Sequence, residues 1–157
     1  MSEILAQGFV MGIVATGAMD LWALALHRLA GLPLSNWGMV GRWVAQLPTG
    51  RVFHGAISDV SPVAGELQLG WAFHYAVGII YGIALAALMG SDWLAAPTLF
   101  PAWAFSILMV GFGWFLLQPG MGAGWAASKT PKPWKARGLN LAAHTVFGIG
   151  LWVGALI

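Results

Sequence analysis

The sequence predicts an all-α integral membrane protein: a four-transmembrane-helix bundle with a short interfacial amphipathic helix in its first cytoplasmic loop. The prediction depends on composition, on four apolar stretches of spanning length, and on where the basic residues lie. Hydrophobic residues make up 59% of the 157-residue chain and charged residues 8%, with a mean hydropathy of +0.79. In soluble proteins, hydrophobic residues make up roughly 45–50% of the chain and charged residues about 25%. A small soluble domain could not bury this much apolar surface. The composition therefore excludes a soluble enzyme.

Charge and cysteine content exclude further classes of protein. Seven Lys and Arg against five Asp and Glu give a net charge of +2, which is too small to form a nucleic-acid-binding patch. The chain contains no cysteine, so disulfides, thiol catalysis and cysteine-ligated zinc are excluded.

Four stretches are long enough to cross a bilayer as helices, which takes about 20 mostly apolar residues. They cover residues 4–29, 69–89, 97–117 and 139–157 of a single membrane domain, 1–157. Turn-forming residues bound each stretch, such as those at 31–33, 90–92 and 118–120. Pro97 suits a helix start, although Pro101 leaves open a start one turn later.

The basic residues predict the orientation of these spans. Between the first two spans lie Arg28, Arg42 and Arg51, and between the last two lie Lys129, Lys132, Lys135 and Arg137, which together are every Lys and Arg in the chain. Because cytoplasmic loops carry the excess of basic residues, both termini are expected on the periplasmic side.

The first cytoplasmic segment contains a predicted amphipathic helix at about 36–47. Asn36 is a suitable N-cap, and Trp37, Val40, Trp43 and Val44 follow at helical spacing. With Arg42 between the tryptophans, this helix is expected to lie in the interface as an anchor or lid, and a substrate gate is the alternative.

Small residues recur every fourth position in the first two spans. One row is Gly8, Gly12, Thr16 and Asp20, and the other is Gly70, His74, Gly78, Gly82 and Ala86. Residues four apart share a helix face, and such rows let membrane helices approach closely. The ionisable member of each row is therefore expected to point into the bundle. The segment at 74–79 also resembles that at 144–149, which suggests either a duplicated helix pair or coincidence.

Polar side chains are expected to converge in the cytoplasmic part of the bundle. At about 1.5 Å per residue, the side chains of Asp20, His74 and His144 fall at similar depth. His27 lies two turns beyond Asp20, and Gln118 closes the third span on the same side. A charged residue inside a membrane helix costs roughly 2.5–3.5 kcal/mol on insertion scales and is by default a functional-site candidate.

Several interpretations of this cluster remain open. Asp20 could simply accept a hydrogen bond from a histidine and fix helix register. His74 and His144 could be the axial ligands of a b-type haem, with Gly78 and Gly148 leaving room for the ring, or could hold a divalent metal together with Asp20. A proton-coupled or small-solute pathway through the titratable groups is the third possibility.

The glycine-rich segment 118–124 is followed by most of the basic residues. It is expected to form a flexible turn, or to bind an anionic lipid head group or ligand with its backbone N–H groups. The side chains assigned to this anionic contact are Arg42, Lys129, Lys132, Lys135 and Arg137.

Several segments resemble a known family. They are Met19–Asp20, Gly41-Arg42-Trp43, Gly70-Trp-Ala-Phe-His74-Tyr75, Gln118-Pro-Gly-Met-Gly-Ala-Gly124, Ala126-Ala-Ser-Lys-Thr-Pro131 and His144-Thr-Val-Phe-Gly148. Over nearly its whole length the chain resembles the small four-span bacterial inner-membrane proteins grouped as domain of unknown function 2938. The resemblance implies a bacterial inner membrane and a four-helix architecture, and it implies no activity.

The function predicted from these observations is a non-enzymatic binding or accessory subunit in the lipid bilayer, within a larger membrane complex or a homo-oligomer. A bis-histidine haem or metal protein for electron transfer and a small-solute or proton-coupled transporter are the alternatives.

Overall fold

A computed structural model describes residues 2–157, and every regular element in that range is helical. The long helices are α1 (Ser2–Ala30), α3 (Glu66–Ala95), α4 (Leu99–Phe112) and α6 (Pro133–Ala155). The short ones are α2 (Trp37–Gln46) and the single turn α5 (Gln118–Gly120), which a π-helical segment, Gly113–Leu117, joins to α4. Four helical stretches, α1, α3, Leu99–Gly120 and α6, are long and apolar enough to cross a membrane.

The helix bounds differ from the predicted ones where special residues decide them. In α3 the break falls at Gly90, where the second span was expected to end. Its φ of 73° and ψ of 179° are non-helical, and helix then resumes as far as Ala95. The third span begins at Leu99, with Pro101 in its first turn, where a missing N–H is harmless. The fourth begins at Pro133, six residues before the predicted start, because proline favours the first helical position.

The described residues form two compact units. Unit 1 takes in residues up to 34, 74–108 and 141–157, and unit 2 takes in 35–73 and 109–140. The expectation of a single domain stays a prediction.

In unit 1, glycines bring α1 against both α3 and α6. A Cβ on Gly12 would lie 2.5 Å from the carbonyl oxygen of Gly78, and one on Gly8 would lie 2.5 Å from the Cα of Ile83. On α6, a Cβ on Gly150 would lie 2.6 Å from the Cα of Ala15. Real Cβ atoms do not approach so closely, so these helices touch backbone to backbone. The packing interpretation of the glycine rows is confirmed for this part of each row.

In unit 2, the structure confirms the predicted position of α2 and its N-cap residue, Asn36. The Oδ1 of Asn36 accepts a hydrogen bond from the backbone N–H of Met39 at 3.1 Å. Trp43 differs from the expectation of an interfacial side chain: it is 2% exposed, and its indole donates to the carbonyl of Val52 at 2.8 Å. The reason is that α2 packs on the start of α3, where a Cβ on Gly41 would overlap the carbonyl of Glu66.

The glycine-rich segment of unit 2 is bound to the chain that follows α2. The backbone N–H and the Nδ1 of His54 both approach the carbonyl oxygen of Gly120, at 3.1 and 3.0 Å. Ile57 donates to the carbonyl of Met121 at 3.1 Å. This segment is therefore a pairing partner for residues 54–57.

Candidate functional site

The polar site in unit 1 is centred on Asp20 of α1. The Nε2 of His74 lies 2.9 Å from Oδ1 of Asp20, and the hydroxyl of Tyr75 donates to Oδ2 at 3.0 Å. Both partners come from α3. Each carboxylate oxygen thus has one hydrogen bond from the neighbouring helix. The side chain of His74 is 12% exposed and that of Asp20 is 25% exposed.

Helix register explains why these side chains meet. The antiparallel contact between α1 and α3 sets Gly8 beside Gly82 and Gly12 beside Gly78. Residues four apart share a face. Two steps of four lead from Gly12 to Asp20 and one step leads from Gly78 back to His74, so these two side chains meet. The two small-residue rows therefore bring the ionisable group of one row into contact with that of the other.

Tyr75 was missed as a site residue by the sequence analysis. It appeared only within a motif, because a tyrosine next to a histidine in an apolar helix carries no distinctive pattern. Its role depends on the distance between the helices, since adjacent residues on a helix point about 100° apart. Asp20 lies close enough to α3 to accept hydrogen bonds from both positions.

The other histidines of unit 1 have different partners. His27 is exposed, and its Nδ1 lies 2.8 Å from the carbonyl oxygen of Leu32, so it closes the C-terminal end of α1. The ring of His144 lies beside that of Phe147, with centroids 6.5 Å apart, while its backbone carbonyl accepts the hydroxyl of Ser106. Within residues 2–157, the hydrogen-bond partners of Asp20 are His74 and Tyr75.

The space that a haem would need is filled by helix packing. A Cβ on Gly78 would overlap the hydroxyl of Thr16, and one on Gly148 would lie 2.8 Å from the Cα of Trp103. The Nε2 of His74 is already hydrogen-bonded to Asp20. Within residues 2–157, no group of three or more His, Asp or Glu side chains is arranged to hold a metal ion. These residues do not fit a haem or a three-ligand metal in this arrangement, and the cofactor interpretation stays an untested hypothesis.

Gln118 belongs to unit 2, where it joins a second polar cluster. Its Nε2 donates to Oδ1 of Asn140 at 2.8 Å, and the indole of Trp114 donates to the same oxygen at 3.0 Å. An indole N–H can only donate, so it fixes the orientation of Asn140 and, through it, that of Gln118. The Oε1 of Gln118 is left buried without a hydrogen-bond partner in residues 2–157. Trp114 and Asn140 were missed because both lie within apolar helical sequence.

Arg42 is engaged inside unit 2, in contrast to the expectation that it contacts an anionic head group. Its Nε and Nη2 donate to the two carboxylate oxygens of Glu66 at 2.9 and 2.8 Å, and its Nη1 donates to the carbonyl of Val60 at 2.8 Å. These hydrogen bonds to Glu66 raise the pKa of the Arg42 guanidinium. The residue is 8% exposed, so the pair is a structural element.

The remaining basic residues of the proposed anionic contact lie in unit 2. Arg137 donates through Nε to the carbonyl of Ala126 at 2.8 Å, and its guanidinium lies 4.5 Å from the ring centroid of Trp134. Lys129, Lys132 and Lys135 are exposed. The structure therefore separates two arginines with protein partners from three lysines that face outward.

These features define the class of the protein: an all-helical chain with four helices able to cross a membrane and a carboxylate–histidine pair between two of them. Residues 9–157 match the family model described as Protein of unknown function (DUF2938), and the chain belongs to that family. The match confirms the resemblance recognised from the sequence motifs. No curated protein and no solved structure matches the chain.

Proposed function

We propose that the protein is a multi-pass protein of the bacterial inner membrane, with both termini on the periplasmic side, and that it acts as a non-enzymatic binding subunit. Four spanning-length helices support insertion. Every Lys and Arg lies between the last turn of α1 and the start of α3, or between α5 and the first turns of α6. Basic residues collect on the cytoplasmic side, which supports the orientation.

The binding site in this proposal is the cluster of Asp20, His74 and Tyr75. The observation that carries it is that 25% of the Asp20 side chain remains exposed beside its two partners. Asp20 lies ten residues before the end of α1 at Ala30, which is about 15 Å at 1.5 Å per residue. With α1 across a hydrocarbon layer of about 30 Å, that depth is well inside the layer. A carboxylate there faces protein, water or a ligand in preference to lipid.

The chemistry of the cluster sets the class of ligand. An ionised carboxylate only accepts hydrogen bonds, so whatever meets the open side of Asp20 donates hydrogen bonds or carries positive charge. His74 and Tyr75 both contact the carboxylate from α3, and in this proposal the ligand meets the exposed part of the Asp20 side chain. A small cationic solute and a donor side chain from a partner helix both satisfy this requirement.

Cysteine accessibility tests the open side of Asp20, and the absence of native cysteines makes the experiment clean. In inside-out membrane vesicles, we expect Asp20→Cys to react with a charged, impermeant thiosulfonate reagent, because the site opens to water from the nearer, cytoplasmic end of α1. Leu21→Cys is the matched control: Leu21 is adjacent and 70% exposed, yet it is expected to face lipid and to stay unmodified. Exposed Ser58→Cys serves as the marker of the cytoplasmic side.

Each contrary result overturns a different part of the proposal. Labelling of Ser58→Cys from the outside of intact spheroplasts would reverse the orientation. Equal labelling of Asp20→Cys and Leu21→Cys would contradict insertion of α1, and an unreactive Asp20→Cys would show that no polar ligand reaches the site.

A second candidate function, proton-coupled transport, is supported by the direct contact between Asp20 and His74, because such a pair can pass a proton between its members. In proteoliposomes with an internal pH-sensitive dye, we expect Asp20→Asn to abolish proton flux. The control Asp92→Asn, at an exposed acid outside the cluster, is expected to keep it. Wild-type protein without flux above that of empty liposomes would exclude this candidate and leave the binding role standing.

A further inference from the structure

We propose that unit 2 carries a binding surface for anionic phospholipid head groups, formed by Trp125, Lys129, Lys132, Trp134 and Lys135, and here called the lysine–tryptophan surface. The proposal is independent of the site at Asp20. Its basis is a local excess of positive charge combined with exposed aromatic rings on a braced stretch of backbone.

No carboxylate within residues 2–157 is paired with the lysines of this surface. The last acidic residue in the sequence is Asp92, so the final 65 residues contain no carboxylate side chain. Lys129, Lys132 and Lys135 are exposed, and no ion pair involves them within residues 2–157. Three ammonium groups within seven residues therefore attract an anion from outside the protein.

Two tryptophans accompany the lysines, Trp125 before them and Trp134 between Lys132 and Lys135, and they indicate which anion the surface binds. Trp134 is 80% exposed and Trp125 is 59% exposed. Indole rings favour the head-group level of a bilayer, where one part of the ring is apolar and the N–H is hydrated. The surface also lies in sequence between two spanning-length stretches, Leu99–Gly120 and Pro133–Ala155. Lysines together with exposed indoles at such a position fit phospholipid head groups better than free anions.

Hydrogen bonds within the protein fix the backbone of the surface without any bound lipid. The N–H of Lys129 donates to the carbonyl of Ala123 at 2.9 Å, and Thr130 caps the carbonyl of Ala127 through its hydroxyl at 2.7 Å. Arg137 connects the segment before the lysines to the start of α6, because it donates to the carbonyl of Ala126 and lies over the ring of Trp134. Arg137 thus braces the surface while the three lysines remain available for lipid phosphate groups.

Native mass spectrometry of the full-length protein in detergent tests this surface. Phosphatidylglycerol and phosphatidylcholine with identical acyl chains are added separately, and the ratio of lipid-bound to lipid-free protein is measured for each. We expect wild-type protein to prefer phosphatidylglycerol. In the triple variant K129Q/K132Q/K135Q this preference is expected to fall by a factor of about ten or more, since each cation near an anionic surface adds to the binding free energy. The variant W125A/W134A is expected to bind both lipids less well.

The control variant is R28Q/R51Q, which removes two exposed cations outside the surface and is expected to keep the preference. An equal loss in this control would show a general charge effect and overturn the proposal, as would an unchanged preference in the triple lysine variant. Displacement of phosphatidylglycerol by millimolar inorganic phosphate would also overturn it, because the surface would then be a site for free anions.

Discussion

Replacing Arg42 with methionine is expected to lower the free energy of unfolding by about 3 kcal/mol, because the carboxylate of Glu66 then loses its ionic partner in a poorly hydrated place. Glu66 retains the hydrogen bond from the N–H of Val63 at 3.0 Å, and its side chain is 20% exposed. The expected loss therefore lies at the lower end of the range for fully buried pairs. The measurement is a reversible denaturant titration of the purified protein in micelles.

Two further variants decide whether the ion pair causes the loss. The double variant R42M/E66M is expected to recover most of the stability, since an apolar pair of similar volume leaves no unpaired charge. The surface control Arg51→Met, at an exposed arginine, is expected to change stability by no more than about 0.5 kcal/mol. If R42M and R51M had equal effects, the assignment of Arg42 to the interior of unit 2 would be wrong.

A single methyl group added at Gly12 is expected to destabilise unit 1 by about 3 kcal/mol, the upper end of what overpacking typically costs, or to prevent folding. The new Cβ in Gly12→Ala would lie 2.5 Å from both the carbonyl oxygen of Gly78 and the Cα of Ile79. Both are backbone atoms, so no side-chain rotation can relieve the overlap, and α1 must move away from α3.

The matched control lies five residues further along the same helix. A Cβ on Gly17 meets no atom within 4 Å, and alanine is favoured over glycine in a helix interior by roughly 0.5–1 kcal/mol. Gly17→Ala is thus expected to leave stability unchanged or slightly raised, so the same substitution has opposite signs at two positions of α1. A similar destabilisation by both variants would contradict the backbone contact at Gly12.

The all-helical fold and the number of spanning-length helices could be predicted because they depend on local sequence. Apolar runs of about 20 residues and their Gly and Pro boundaries decide helix formation through backbone hydrogen bonding alone. Asn36 was likewise predictable as a cap, because its side chain bonds to a residue three positions away. The start of α4 differs from the predicted one because its first turn accepts Pro101, and that of α6 differs because Pro133 occupies the first helical position.

The rows of small residues predicted that Asp20 and His74 point into the bundle, but they did not predict that these two side chains pair with each other while His144 has other partners. Partners that depend on distant segments were not predictable. Nothing in the sequence near Arg42 indicates that its guanidinium pairs with Glu66, and nothing near Gln118 indicates Asn140 as its partner. Such pairings are decided by which helix ends come together, and a residue's own neighbours in the chain do not encode that.

The amino-acid sequence by itself determined the helices, their apolar character and the rows of small residues that bring α1 against α3, because hydrogen bonding and side-chain volume act within each segment. The tertiary structure alone decided the destination of the polar groups. It buried Arg42 against Glu66 and Trp43 against Val52, and it left three lysines and two tryptophans facing outward. The physical reason is that a buried charge or N–H group must find a partner, and the available partner is set by the packing of the whole chain.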